Sequence, residues 1–135
     1  MWSADISSLF ACCISYAWRI STGTGLLFSR HGLRAPLANS GSVLAISTPK
    51  SWPEWETKGG HLTSKGGILE SYFGEYVNSW LTQEKLFNKD TCPLAKDTFI
   101  YANSLQRTLA TAQYFTLGAF PGCDVKIFHQ AELGV

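Results

Sequence analysis

A histidine lies between two arginines in the stretch Arg30-His31-Gly32-Leu33-Arg34-Ala35-Pro36, directly after the strand-like apolar run Gly25-Leu26-Leu27-Phe28-Ser29. Each guanidinium is permanently charged and presents a planar fork of donors that matches phosphate oxygens two at a time. A neutral imidazole held beside a phosphate clamped in that way can attack phosphorus. The pattern RHGxRxP fixes five positions where strand chemistry gives way to a loop, which favours phosphoryl transfer over a surface loop with dispersed charges.

The elements that must position this stretch follow from periodicity. Residues 25–29 read as a short buried strand, and 37–62 as a long loop rich in Ser, Pro, Gly and Trp, where Trp52 and Trp55 suggest a small satellite core. Apolar residues at Ile68, Leu69, Tyr72, Phe73, Tyr76, Val77, Trp80 and Leu81 recur every three to four positions, predicting an amphipathic helix that Thr63 or Ser64 caps. Gly66-Gly67 in its first turn costs helix propensity, so either another backbone approaches closely there or the helix start frays. Thr98 to Ala102 is β-prone, Asn103 is placed to cap a second helix through Leu105, Leu109, Ala112 and Phe115, and Gly118 and Pro121 end it. Val125 to Phe128 then predicts a third strand.

Strand, helix, strand, helix, strand predicts an α/β fold whose three strands run parallel with crossover helices. His31 then follows the first strand and Arg107 opens the helix after the second, so both belong at the carboxyl edge where open α/β sheets bind ligands. His129 lies at the end of the third strand on that edge, where a bland role is at least as well supported as ligand contact, and His61 has no companions of functional type. Gly23-Thr24-Gly25 resembles the opening of a nucleotide loop, but Phe28 stands where the motif needs glycine and the segment precedes a strand. The same topology puts Cys92 and Cys123 near the amino edge, where a bridge between them would mean an oxidising compartment.

Composition narrows the partners. At 135 residues, 45% hydrophobic, the chain can hold one domain with a real core. A net charge of +1 offers no footprint for nucleic acid or an anionic membrane surface, so any anion site must be local. The run Ile6 to Trp18 is too short and too rich in serine to span a bilayer. Its apolar residues followed by Ser15 and Ala17 have signal-peptide character, although no Lys or Arg precedes them. The four cysteines, at 12, 13, 92 and 123, lack the CxxC spacing of a zinc or dithiol site, and no metal or cofactor is expected.

RHGLRAPLANSGSVL, STPKSWPEWETKGGHLTSKGG, YANSLQRTLATAQYF and GAFPGCD resemble the histidine acid phosphatases, the RHGxRxP branch of the histidine phosphatase superfamily, and within it the bacterial periplasmic glucose-1-phosphatases, relatives of the bacterial phytases. The resemblance runs from about residue 26 to the end, leaving 1–25 as a poorly defined segment and 26–135 as the N-terminal part of the family's α/β domain. It implies His31 as a nucleophile that becomes phosphohistidine, and Arg30, Arg34 and Arg107 as the phosphate clamp. It also implies a Cys92–Cys123 disulfide, a periplasmic or secreted location, and metal-free hydrolysis of a small phosphomonoester such as a sugar phosphate. The family's His-Asp pair, whose Asp protonates the leaving oxygen, has no counterpart here, since the three histidines precede Gly32, Leu62 and Gln130. The chain therefore reads as a truncated piece of that fold. Its parent would be the phosphatase, with an inactive phosphate-binding piece or a phytase-type parent as the alternatives.

Overall fold

In the computed structural model, residues 17–21, 23–37, 46–47, 49–50, 53–88 and 91–130 are described. The Ile6 to Trp18 run lies largely outside them, as do Trp52, Cys12 and Cys13. The chain divides into two compact units, Met1–Arg30 and His31–Val135.

The first unit is a hairpin. Strand β1 (Ala17–Ser21) pairs antiparallel with β2 (Thr24–Phe28), with Ser21 opposite Thr24 and Ala17 opposite Phe28. Gly23 sits at φ +90°, the left-handed conformation that a two-residue connection between twisted strands requires. This corrects the expectation of a three-stranded parallel sheet, because β2 hydrogen-bonds to β1 and not to either later strand. Nor is β2 a buried run, since Leu26 and Phe28 are exposed.

The second unit carries the α/β core. Helix α1 (Ser64–Gln83) precedes β3 (Ile100–Asn103), helix α2 (Gln106–Ala119) and β4 (Ile127–Gln130). Strands β3 and β4 are parallel, in register from Ile100 opposite Ile127 to Asn103 opposite Gln130, so β3, α2 and β4 form one βαβ crossover. A Cys92–Cys123 disulfide joins the segments leading into the two strands, with the Cα atoms 5.5 Å apart. Phe99 and Phe128 stack beside the pair at 4.9 Å between centroids.

Helix α1 starts where Thr63 accepts the Gly66 N–H at 3.0 Å, a side-chain cap for a donor that has no partner within the helix. Its buried face differs from the one hydrophobicity suggests. Gly66, Gly67, Glu70, Gly74 and Val77 are buried, while Ile68, Leu69, Tyr72 and Tyr76 are exposed. Glycine explains the choice: a Cβ on Gly67 would stand 2.6 Å from the Tyr114 ring, and one on Gly74 would strike the Phe115 carbonyl. The helices meet backbone to backbone and are fastened by polar links. Asn78 Nδ2 donates to the Ala119 carbonyl at 2.6 Å, and Ser71 Oγ donates to the Tyr114 carbonyl at 3.1 Å.

Helix α2 also departs from its expected ends. Asn103 does not cap it; the cap position is Leu105, and Asn103 Oδ1 accepts the Leu105 N–H at 3.3 Å in the turn before it. Gly118 lies inside the last turn because it packs on Ser71, and the chain leaves the helix after Ala119 through the turn at Pro121-Gly122. Trp55 is exposed, so it builds no satellite core.

Candidate active site

Three backbone hydrogen bonds pin the stretch after His31 against the residues that lead into α1. Ala35 N donates to the His61 carbonyl (2.9 Å), Gly60 N to the Ala35 carbonyl (3.0 Å), and Thr63 N to the Leu33 carbonyl (2.9 Å), around an antiparallel bridge between Arg34 and Leu62. Thr63 Oγ1 adds a second donor to the Leu33 carbonyl. A Cβ on Gly66 would collide with that same carbonyl, so glycine at the start of α1 lets the loop rest on the helix. The two leading candidates for Gly66, close approach or fraying, resolve in favour of close approach.

The loop is also tied to α2. Gly32 N donates to Thr111 Oγ1 at 2.9 Å in a buried position, and that hydroxyl donates in turn to the Arg107 carbonyl at 2.7 Å. Leu62 N donates to Gln106 Oε1 at 3.0 Å. Gln106 therefore serves the loop instead of reaching back to close a cap on its own helix. Through these links, residues 32–35 and the first two turns of α2 form one hydrogen-bonded body.

His31 is partly buried, and its Nδ1 lies 2.9 Å from the Gly32 carbonyl oxygen. A carbonyl only accepts, so Nδ1 carries the proton in this contact and the lone pair of the neutral ring is on Nε2. Arg34 is partly buried and donates from Nη1 to the Ala35 carbonyl at 2.9 Å. Arg107 is partly buried as well, and its Nε is a buried donor with no hydrogen-bond partner among the described residues. A buried guanidinium N–H left unpaired carries a desolvation cost on the order of 1–3 kcal/mol, which an anion accepting from it would remove. The Arg107 Nη1 end lies near Gly60, 3.9 Å from where a Cβ on that glycine would stand. The second unit thus gathers His31, Arg34 and Arg107 on connected elements. Arg30 is the last residue of the hairpin unit and is exposed.

His129 and His61 are not drawn into this arrangement as side chains. His129 is exposed and lines an open depression of about 550 Å³ with Leu109, Gln113, Phe120 and Cys123. His61 contributes its carbonyl to Ala35.

Two residues of the site escaped the sequence reading. Thr111 looks like an ordinary helical threonine, and nothing in its neighbours signals that it accepts the Gly32 N–H. Glu70 is only 4% exposed, and burial pushes its carboxyl up to about 7. Its spacing from Gly66, Gly67 and Gly74 on one helical face is the signal that could have found it.

Residues 26–133 match the family model described as the histidine phosphatase superfamily (branch 2). The chain is 57% identical over 109 residues to a glucose-1-phosphatase of Salmonella typhimurium, covering 81% of this chain and 26% of that protein. It is 52% identical over 110 residues to a glucose-1-phosphatase of Providencia rettgeri, again 81% of this chain and 26% of the relative. Among solved structures, the Hafnia alvei phytase in complex with tartrate superposes with a TM-score of 0.69 at 36% identity, over 75% of this chain and 25% of that one. The chain thus spans about a quarter of the length of the relatives it matches.

Proposed function

Because the chain belongs to the histidine phosphatase superfamily (branch 2), we propose that it supplies the phosphate-capturing part of a phosphomonoesterase that works through a phosphohistidine. His31 Nε2 attacks phosphorus, a P–N bond forms, and the ester P–O bond breaks with its electron pair leaving on the ester oxygen, which needs a proton from an acid. Water then attacks the phosphohistidine, breaks the P–N bond, and releases inorganic phosphate with the imidazole restored. Arg34 and Arg107 hold the phosphate oxygens and offset the charge spread over them as the bonds exchange. The motif gives Arg30 the same task by its place one peptide bond before the nucleophile. This chemistry needs no metal.

The observation that carries this reading is the pairing of a histidine whose Nδ1–H is engaged by Gly32 with an arginine whose buried Nε has no partner. The first supports nucleophilic attack from the other ring nitrogen, and the second supports an anion as the missing acceptor. Similarity at 57% to a protein named glucose-1-phosphatase, against 36% to phytases, favours a sugar phosphate over an inositol phosphate as substrate. The disulfide favours an oxidising compartment such as the periplasm.

The sequence holds no His-Asp pair to protonate the leaving oxygen. A substrate whose leaving group departs without a proton isolates His31 from that requirement. The test is p-nitrophenyl phosphate with rapid quenching in base, where phosphohistidine survives and phosphate esters of serine do not. Label on wild type that is lost in His31→Ala and strongly reduced in Arg107→Ala is the expected result. Absence of label together with absence of phosphate binding would overturn the proposal.

A further inference from the structure

The carboxyl of Glu70 forms the wall behind Gly32. A Cβ on Gly32 would stand 2.8 Å from Glu70 Oε1 and 3.2 Å from Leu62 Cδ1, so only a glycine leaves room for the carboxyl at that place. The Gly32 peptide is the one that orients His31, through its carbonyl, and ties the loop to α2, through its N–H. Glu70 is 4% exposed, and no hydrogen bond or ion pair satisfies it among the described residues. The titratable and charged groups on the elements around it are His31 and Arg34 on the loop, and Glu54, Glu56, Lys58 and His61 on the segment entering α1. Arg107 and Tyr114 on α2 complete the set, with Lys65, Tyr72, Glu75 and Tyr76 on its own helix. A carboxyl with a neighbouring countercharge would be held ionised; here burial acts alone and raises its proton affinity.

We propose that Glu70 is a positioning residue for His31 that acts through Gly32: with a neutral carboxyl the Gly32 peptide stays seated and the site accepts an anion, and with an ionised carboxyl a buried negative charge behind Gly32 opposes that anion. The anion half of this inference rests on the reading of His31, Arg34 and Arg107 as a phosphate site. Since its pKa is pushed up to about 7, Glu70 is neutral below that pH and charged above it. The site would therefore bind anions better in acid for a reason separate from protonation of His31.

Sulfate is the probe, because it is tetrahedral and keeps the same charge between about pH 6 and pH 8, where phosphate itself titrates. In calorimetry on the full 135-residue chain, wild-type affinity should fall by on the order of tenfold more than that of Glu70→Gln over this range. Glutamine mimics the neutral carboxyl, so the variant should match wild type at the acid end. Superimposable pH profiles would sink the role of Glu70 while leaving the phosphate site standing. Sulfate binding that is absent, or indifferent to Arg107→Ala, would sink the phosphate site, and a ligand-free measurement then decides Glu70. The Gly32 amide resonance should step near pH 7 in wild type and lose that step in Glu70→Gln; a step that persists, or that wild type lacks, refutes the positioning role. Should the variant not fold, the Glu70 carboxyl carbon of wild type serves, and its titration near 4.5 gives the same refutation.

Discussion

Replacing Gly118 by alanine sets two opposed effects against each other, and the geometry decides the sign. In an open helix the change gains about 1 kcal/mol, because alanine loses less backbone freedom on folding. At Gly118 the new methyl would fall on the Ser71 carbonyl oxygen, 2.6 Å from the Ser71 carbon and 2.8 Å from its Cα. These are backbone atoms in the middle of α1, with no flexible end that can turn aside. Restoring an ordinary contact requires α1 and α2 to part by roughly 1 Å, and overpacking of that kind costs about 1–3 kcal/mol. Parting them also stretches the Asn78–Ala119 and Ser71–Tyr114 hydrogen bonds, each contributing about 1 kcal/mol. The expected balance for Gly118→Ala is a loss of about 2–4 kcal/mol. With a urea dependence of about 1–3 kcal/mol per molar, the midpoint followed by far-UV circular dichroism should drop by roughly 1–2 M. Gly122→Ala is the control. Its added methyl meets nothing within 4 Å, and its φ of +78° alone should cost about 1 kcal/mol. A Gly118→Ala protein as stable as wild type would refute the backbone-to-backbone packing of the two helices.

Two further outcomes test the links that hold the site. Thr111→Val removes the acceptor of the buried Gly32 N–H at nearly constant volume, and should cost about 1–3 kcal/mol by urea denaturation while Thr111→Ser stays close to wild type; equal loss in both variants would mean that packing, not the hydrogen bond, is what Thr111 provides. Reduction of Cys92–Cys123, or Cys92→Ser with Cys123→Ser, should cost about 2–4 kcal/mol, given the 31-residue separation that the bridge closes; a midpoint unmoved by reductant would show that the unfolded chain gains nothing from release.

Much of the α/β unit is legible in the chain because its signals are local. The three-to-four residue spacing from Ile68 to Leu81 does mark a helix, and the β-prone runs near Ile100 and Ile127 do pair in parallel, each displaced by about two residues from its expected span. What periodicity misjudges is direction. It turns Ile68, Leu69, Tyr72 and Tyr76 inward, whereas the buried stripe is the glycine one, since glycine allows the closest approach of backbones and hydrophobicity scales give that property no weight. Strand β2 departs from its expected parallel place for a related reason. A short apolar run after a glycine is compatible with either a central parallel strand or a hairpin arm, and the partner that decides, Ala17–Ser21, carries an arginine in its middle.

The correction to the sheet changes what links the stretch after His31 to the helix that carries Arg107. Three parallel strands would bring His31 to Arg107 by putting both at their carboxyl ends. The structure reaches the same juxtaposition without the first strand, through the pairing of 33–35 with 60–63 and the bond from Gly32 to Thr111. Hydrogen bonds of the loop therefore carry the positional information that a sheet edge was expected to supply. Each of those bonds engages a backbone atom within four residues of His31, so single changes at Thr111 or Thr63 reach the imidazole through one or two peptides. Glu70 belongs to the same layer, its carboxyl on α1 filling the place a Cβ on Gly32 would need. The chemistry proposed for His31 would thereby be coupled to a stripe of α1 that contains no residue of the RHGxRxP motif.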